Sequence, residues 1–160
     1  MKKILLPLIV ISLIICSCSS RKGVSGYYSY QTSCLGTDFD GTQVLKAFGT
    51  GKTEIEAIEN AKKTAINDVL FKGIRSGKED CRLRPLIIEV NANEKYEDYF
   101  NDFFKIEGQY LEFTTISKKP ILAKLFKGKK TRKLDVAYEV IVKVYMSNLK
   151  QHLMRDQIIN

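Results

Sequence analysis

Over positions 134–146 (LDVAYEVIVKVYM) every second residue is apolar: Leu134, Val136, Tyr138, Val140, Val142, Val144 and Met146 fall on one side, with a more polar set between them. A two-residue period puts alternate side chains on opposite faces of a pleated chain, so the segment predicts a long strand with one buried face. Positions 42–49 (TQVLKAFG) alternate in the same way. Positions 84–91 (RPLIIEVN) and 110–116 (YLEFTTI) read as two further strands, the first with Pro85 at its start, where a missing N–H does least harm. Between strands the period changes. From Thr53 to about Lys72, the residues Ala57, Ile58, Ala61, Ala65, Ile66, Val69 and Leu70 form one stripe, with Lys62, Lys63, Asn67 and Asp68 opposite. Thr53-Glu54-Ile55-Glu56 supplies a capping box at its start, and Gly73 and Gly77 punctuate its end. The alanines recur every fourth residue, a row of small side chains that lets a helix backbone approach a sheet closely. A second helix is expected over 94–105, where Tyr96, Tyr99, Phe100, Phe103 and Phe104 make an aromatic face that reads as core, and a short third one over 148–159. The order β-α-β-α-β-β-α predicts an α+β fold, a small mixed sheet with helices packed on it.

The first seventeen residues obey neither period. Met1-Lys2-Lys3 is a positive start, and 4–16 is an apolar run of thirteen residues interrupted only by Pro7 and Ser12. As a helix the run covers roughly 20 Å, short of the ~30 Å hydrocarbon core, so it reads as a secretory signal rather than a permanent span. Ile15-Cys16-Ser17-Cys18 resembles a bacterial lipobox, with Cys18 as the lipidated residue because Ser17 before it is small, whereas Cys16 would follow the bulkier Ile15. Several buried acyl chains, at ~0.8 kcal/mol per methylene, make a durable anchor. By resemblance to lipoprotein sorting rules, Ser19 is not an inner-membrane retention Asp, and Ser19-Ser20-Arg21-Lys22 lacks a surface-export acidic run. The expected location is therefore the outer membrane, facing the periplasm rather than the cell surface. Residues 18–33 read as a lipidated flexible tether carrying Tyr27, Tyr28 and Tyr30, and 34–160 as one periplasmic domain.

Composition agrees with one domain. Of 160 residues, 44% are hydrophobic, enough for a core at this length. The formal net charge of +8 falls by two when Lys2 and Lys3 leave with the signal. That is basic, but well short of a dedicated nucleic-acid binder, and the compartment also disfavours such a partner. Cys34 and Cys81 remain as an even pair where disulfides persist. Each lies just upstream of an expected strand, and a right-handed crossover would bring those strand starts to the same side, so a Cys34–Cys81 bridge is expected, with two free thiols as the alternative.

Little in the chain suggests catalysis. Gly49-Thr50-Gly51-Lys52-Thr53 looks like the end of a phosphate-binding loop, but Lys46 stands where the motif needs its first glycine, so the glycines read as a tight strand-to-helix turn. Asp38-Phe39-Asp40-Gly41 opens like a calcium loop, yet Leu45 and Gly49 occupy later ligand positions, and a turn is the better reading. His152 is the only histidine, with no acyl-transfer signature to pair with it, and is expected to be solvated or capping. No metal, cofactor or enzymatic activity is expected. The informative polar feature is charge asymmetry. Positions 118–133 hold eight basic residues and no acid, interleaved with Ile121, Leu122, Leu125 and Phe126, whereas 89–112 hold seven acids and two bases. The basic segment is either a solvated hairpin loop or a binding loop, with Lys124, Lys127, Lys129, Lys130 and Arg132 as the contact residues.

Ala47-Phe48-Gly49-Thr50-Gly51 followed by Glu56-Ala57, Ala61 and Ala65 resembles the N-terminal domain of the FlgT-like and small surface-lipoprotein family, over residues 42–73. The resemblance implies a non-enzymatic accessory lipoprotein supporting a larger envelope assembly, with no catalytic residues to carry over. The reading is thus an envelope adaptor, tethered to the membrane by its lipid and docking on an envelope protein. Its alternative is a module that binds peptidoglycan or the phosphates of a glycolipid directly and regulates the cell wall or envelope.

Overall fold

The computed structural model describes residues 31–81, 83–118, 121–126 and 135–160. Its centre is the antiparallel pair of β2 (Gln43–Gly51) and β6 (Asp135–Val144), in register from Gln43 opposite Val144 to Gly51 opposite Val136. On their shared inner face Leu45, Ala47, Val140, Val142 and Val144 are fully buried, as the alternation requires. β1 (Ser33–Thr37) joins β2 as a hairpin, and β3 (Ser76–Gly77) runs parallel to β1. On the far side of β6 lie β4 (Thr114–Ile116) and β5 (Ile121–Phe126), both antiparallel to it, as two segments of one outer strand. The order β3-β1-β2-β6-β4, with β5 also on β6, makes the expected mixed sheet of an α+β fold. β1 escaped the periodicity because a bulge between Cys34 and Gly36 breaks its alternation. Thr32 and Ser33, expected within the tether, are already buried.

Helix α1 (Glu54–Asn67) starts at the expected cap. Thr53 Oγ1 accepts from Glu56 N–H at 3.2 Å, while the Glu56 carboxylate reaches back to the Lys52 N–H at 2.8 Å. The helix lies on the sheet through Ala57, Ala61 and Ala65, none of them exposed. Gly49 and Gly51 are not the predicted turn. They are strand positions, and a Cβ at Gly49 would stand 1.9 Å from the Ala57 carbonyl oxygen and 2.4 Å from Ala61 N. The inner face of β2 therefore shrinks along Leu45, Ala47, Gly49 and Gly51 because the helix backbone closes on it.

α1 runs into a π-helical turn, Asp68–Lys72, closed by the Gly73 N–H on the Asp68 carbonyl at 2.7 Å. Asp68, expected on the polar side, is buried at 7% exposure because it lies seven residues from Ala61 and eleven from Ala57, which at α-helical spacing is the face turned to the sheet. The carbonyls left open by this turn set the next segment. Leu86 N–H donates to Val69 O at 3.1 Å and Ile87 N–H to Leu70 O at 2.9 Å, which commits the donors that a strand over 84–91 would have needed. That predicted strand does not form. Pro85 has no donor, only Ile87 of the apolar run is buried, and Ile88 and Val90 face solvent.

The helix expected over 94–105 is two pieces, α2 (Ala92–Lys95) and α3 (Glu97–Phe103), broken at Tyr96, whose φ of −116° leaves the helical region. Its aromatic face is core. Phe100 and Phe103 are buried, Phe103 stacks on Phe113 at 6.0 Å, and Phe71 packs edge-on against Phe100 at 4.9 Å. Of the strand predicted over 110–116 only β4 forms. Gln109–Phe113 is a 3₁₀ turn that sends Tyr110 and Phe113, three apart, into the same core.

The terminal helix α4 (Met146–Arg155) buries Leu149, Leu153 and His152. His152 is 7% exposed rather than solvated, and its ring lies 4.9 Å from that of Phe113. Its Nε2 is 3.2 Å from Asp156 Oδ2, and Arg155 faces its Nδ1. Cys34 and Cys81 form the expected disulfide, Cα to Cα 6.1 Å, though for a different reason: the parallel β1–β3 pair, not a strand at 84–91, brings them together. No helix among the described residues is long and apolar enough to cross a membrane.

Candidate functional site

The basic segment is only partly a loop. Its residues 121–126 are β5, which carries Lys124 opposite Ala137 in the ladder, with a bulge between Leu122 and Lys124. Among the described residues nothing pairs with the outer edge of β5. Just ahead of it Lys118 is exposed, and Ile121 keeps 61% of its surface in water. Lys127, Lys129, Lys130 and Arg132 fall in the connection from β5 to β6 and lie outside the described residues, as does Cys18. The structure thus places part of the predicted contact surface on a sheet edge.

The face of the sheet turned away from α1 carries Val44, Phe48 and Ile141, each half-buried, between charged neighbours. Lys46 and Glu139 approach to 4.0 Å across the β2–β6 ladder, and Lys143 donates to Asp38 at 2.7 Å, which holds the Lys143 ammonium above its ordinary range. Asp38 and Asp40 occupy the β1–β2 hairpin turn. Asp40 accepts from the Thr42 N–H at 2.9 Å, and this bond with one from the Thr42 hydroxyl keeps its carboxyl below the usual range. Both carboxylates therefore have structural partners. Among the described residues no three His, Cys, Asp or Glu side chains converge as a metal site would require.

Two phenols join distant elements. The Tyr110 hydroxyl donates to Glu59 at 2.7 Å, where Lys62 also donates at 2.7 Å, and the Lys63 ammonium lies 5.3 Å from the Tyr110 ring centroid. The Tyr99 hydroxyl donates to Asp156 at 3.0 Å. Burial, and then the carboxylate each phenol donates to, push both tyrosines well above the ordinary phenol range. Burial alone would raise Glu59, but its bonds from Lys62 and Tyr110 outweigh this and hold it low. Because both phenols hold their protons more tightly folded than unfolded, the stability they contribute is present below pH ~10 and is lost as pH rises beyond it. We expect the urea midpoint to fall above pH ~10, with phenolate absorbance from these two residues appearing only on unfolding. Tyr110→Phe should flatten part of that slope while costing ~1 kcal/mol at neutral pH.

Asp68, expected on the polar side of the helix, is instead a buried carboxylate on the alanine face. Its Oδ2 accepts from the Thr32 hydroxyl, and Lys72 Nζ stands 2.8 Å from its Oδ1. The signal was its spacing, seven residues from Ala61 and eleven from Ala57, which places it on the alanine stripe. Comparison with protein-family models, with curated proteins and with solved structures returns no match for this chain.

Proposed function

We propose that the chain is a non-catalytic envelope lipoprotein, an adaptor held to the periplasmic face of the outer membrane by lipid on Cys18, which docks on a larger envelope assembly through the β5 edge and the basic segment after it. The observation that carries this reading is the outer edge of β5, unpaired among the described residues and continuing into Lys127, Lys129, Lys130 and Arg132. A free edge offers a row of backbone donors and acceptors to an incoming strand, and flanking cations select an acidic partner while discouraging self-pairing. The buried Cys34–Cys81 bridge supports an oxidising compartment. The resemblance of residues 42–73 to FlgT-like accessory lipoproteins points the same way.

Crosslinking of the full-length lipoprotein in intact cells tests the proposal, beside a variant with Glu at Lys127, Lys129 and Lys130. One envelope protein captured by the native chain and lost in the variant is the expected result. Capture that persists in the variant, or retention of glycan or lipid alone, would overturn it. Docking with an apolar centre should also survive a few tenths molar salt, whereas binding led by exposed cations alone should not.

A further inference from the structure

The sheet edge opposite β5 is β3, and the surface around it is basic. Three neighbouring clefts share Lys72 as a wall: one also takes in Lys63, the second Arg75 with Gln31 and Thr32, and the third Arg75 and Arg84. Among the described residues lining them the only carboxylate is Asp68, and it is already spent. It is 7% exposed, with the Thr32 hydroxyl on Oδ2 and Lys72 Nζ 2.8 Å from Oδ1. Four cations therefore stand against one carboxylate. Arg75 and Arg84 are exposed and make no ion pair among the described residues, and Lys72 keeps 67% of its side chain in water. Lys78, exposed directly after β3, continues the patch along the edge. The sequence of this stretch agrees, with five bases against two acids over 72–84.

The patch also surrounds the point where the domain joins its N-terminal chain. Gln31 and Thr32 are the first described residues, and both line the cleft of Lys72 and Arg75, so the chain leading back to Cys18 departs from within the basic surface. Fully extended, that chain reaches roughly 50 Å. Lipid on Cys18, the reading on which this inference rests, holds the chain's other end at the bilayer and so keeps these cations at a high effective concentration over its headgroups. Within a Debye length of an anionic surface, ~8 Å at physiological ionic strength, each Lys or Arg is attracted to it. An acidic protein would suit the same charges, but the tether makes the bilayer the surface that this patch meets first.

We propose that the β3 edge is the membrane-facing side of the domain, with Lys72, Arg75, Lys78 and Arg84 resting on anionic phospholipid headgroups. The strand order then gives the seating a consequence. β1, β2 and β6 separate β3 from β5, which sets the two edges roughly 20 Å apart at the usual strand spacing. A domain seated on β3 therefore turns its docking edge away from the bilayer, toward an incoming partner.

The test is lysine acetylation, read by mass spectrometry, of the full-length lipoprotein reconstituted in phosphatidylcholine vesicles with and without phosphatidylglycerol. Lys118, just ahead of β5, and Lys150, on α4, are both exposed and serve as internal references. Relative to them, Lys72 and Lys78 should be labelled at least about threefold more slowly when phosphatidylglycerol is present, and a few tenths molar salt should remove the difference. Arg75→Glu combined with Arg84→Glu should also remove it, with the urea midpoint kept. The variant with Glu at Lys127, Lys129 and Lys130 should retain it, which separates this face from the adaptor's contact segment. Equal labelling of Lys72 and Lys78 on both vesicles, or protection of Lys118 as strong as theirs, overturns the assignment. Protection found in intact cells but not on phosphatidylglycerol vesicles would give the face to an acidic protein and overturn it likewise. Flotation of the same samples separates the two readings: a chain that floats with neither vesicle overturns the lipid anchor and this seating together, whereas one that floats with both and is labelled equally overturns the seating alone.

Discussion

Gly49→Ala is expected to lower the unfolding free energy by about 3 kcal/mol, the upper end for one methyl group forced into a packed core. The added Cβ would lie 1.9 Å from the Ala57 carbonyl oxygen and 2.4 Å from Ala61 N, and both obstacles are helix backbone that cannot rotate away. Only movement of α1 relieves them, and that movement parts Ala61 and Ala65 from Leu45, Ala47 and Val140, all fully buried. Two comparisons isolate the cause. Ala57→Gly should not rescue the variant, because the clash is with the carbonyl rather than the methyl group. Gly41→Ala meets nothing closer than Ser147 Oγ at 3.9 Å and is disfavoured only by its φ of +82°, so its cost should be nearer ~1 kcal/mol. Urea titrations of the three variants measure this. A Gly49→Ala midpoint equal to the native one would mean that helix and strand are not in contact there.

The close helix–sheet contact shows what the sequence could and could not convey. The alanines at 57, 61 and 65 announced a near approach, and the alternation of 134–146 named the buried side of β6 at Val140, Val142 and Val144, because both signals repeat over several turns or pleats. The partner glycines were misassigned to a turn, since spacing alone does not tell a strand glycine under a helix from a loop glycine. Two other errors arose where the strand pattern is interrupted. The bulge after Cys34 hides β1, and the interruption between β4 and β5 disguises a single outer strand. The segment 84–91 misled for another reason: its β-rich composition is real, but its donors go to the end of α1. The charge asymmetry that marks the contact segment was plain in the sequence, whereas its strand character was not, because ILAKLF does not alternate.

Removal of the Cys34–Cys81 bridge should have the largest effect of any single change, a loss of ~4 kcal/mol. The bridged residues are 47 apart, and the loop they close contains β2, α1 and the π turn, so cutting it frees the unfolded chain while little in the folded state replaces it. What remains at that edge is weak. β1 and β3 share only two residue pairs, supported by the Lys78 N–H on the Cys34 carbonyl at 3.0 Å and by Gly77, which at φ +108° packs where a Cβ would stand 2.1 Å from that same oxygen. Without the bridge the 76–81 segment should therefore open before the β2–β6–α1 centre does. The paired Cys34→Ala, Cys81→Ala variant avoids burying serine hydroxyls and is expected to show a lower urea midpoint with a steeper slope, because its unfolded state is more expanded. It should also be cleaved early by protease around Lys78. In the native protein both cysteines are 1% exposed, so reductant should act slowly, and a mobility shift on a denaturing gel should appear only after reduction. Two thiols that alkylate in native protein, with an unchanged midpoint under reductant, would show that the bridge is not holding this edge. They would also remove the strongest support for an oxidising compartment.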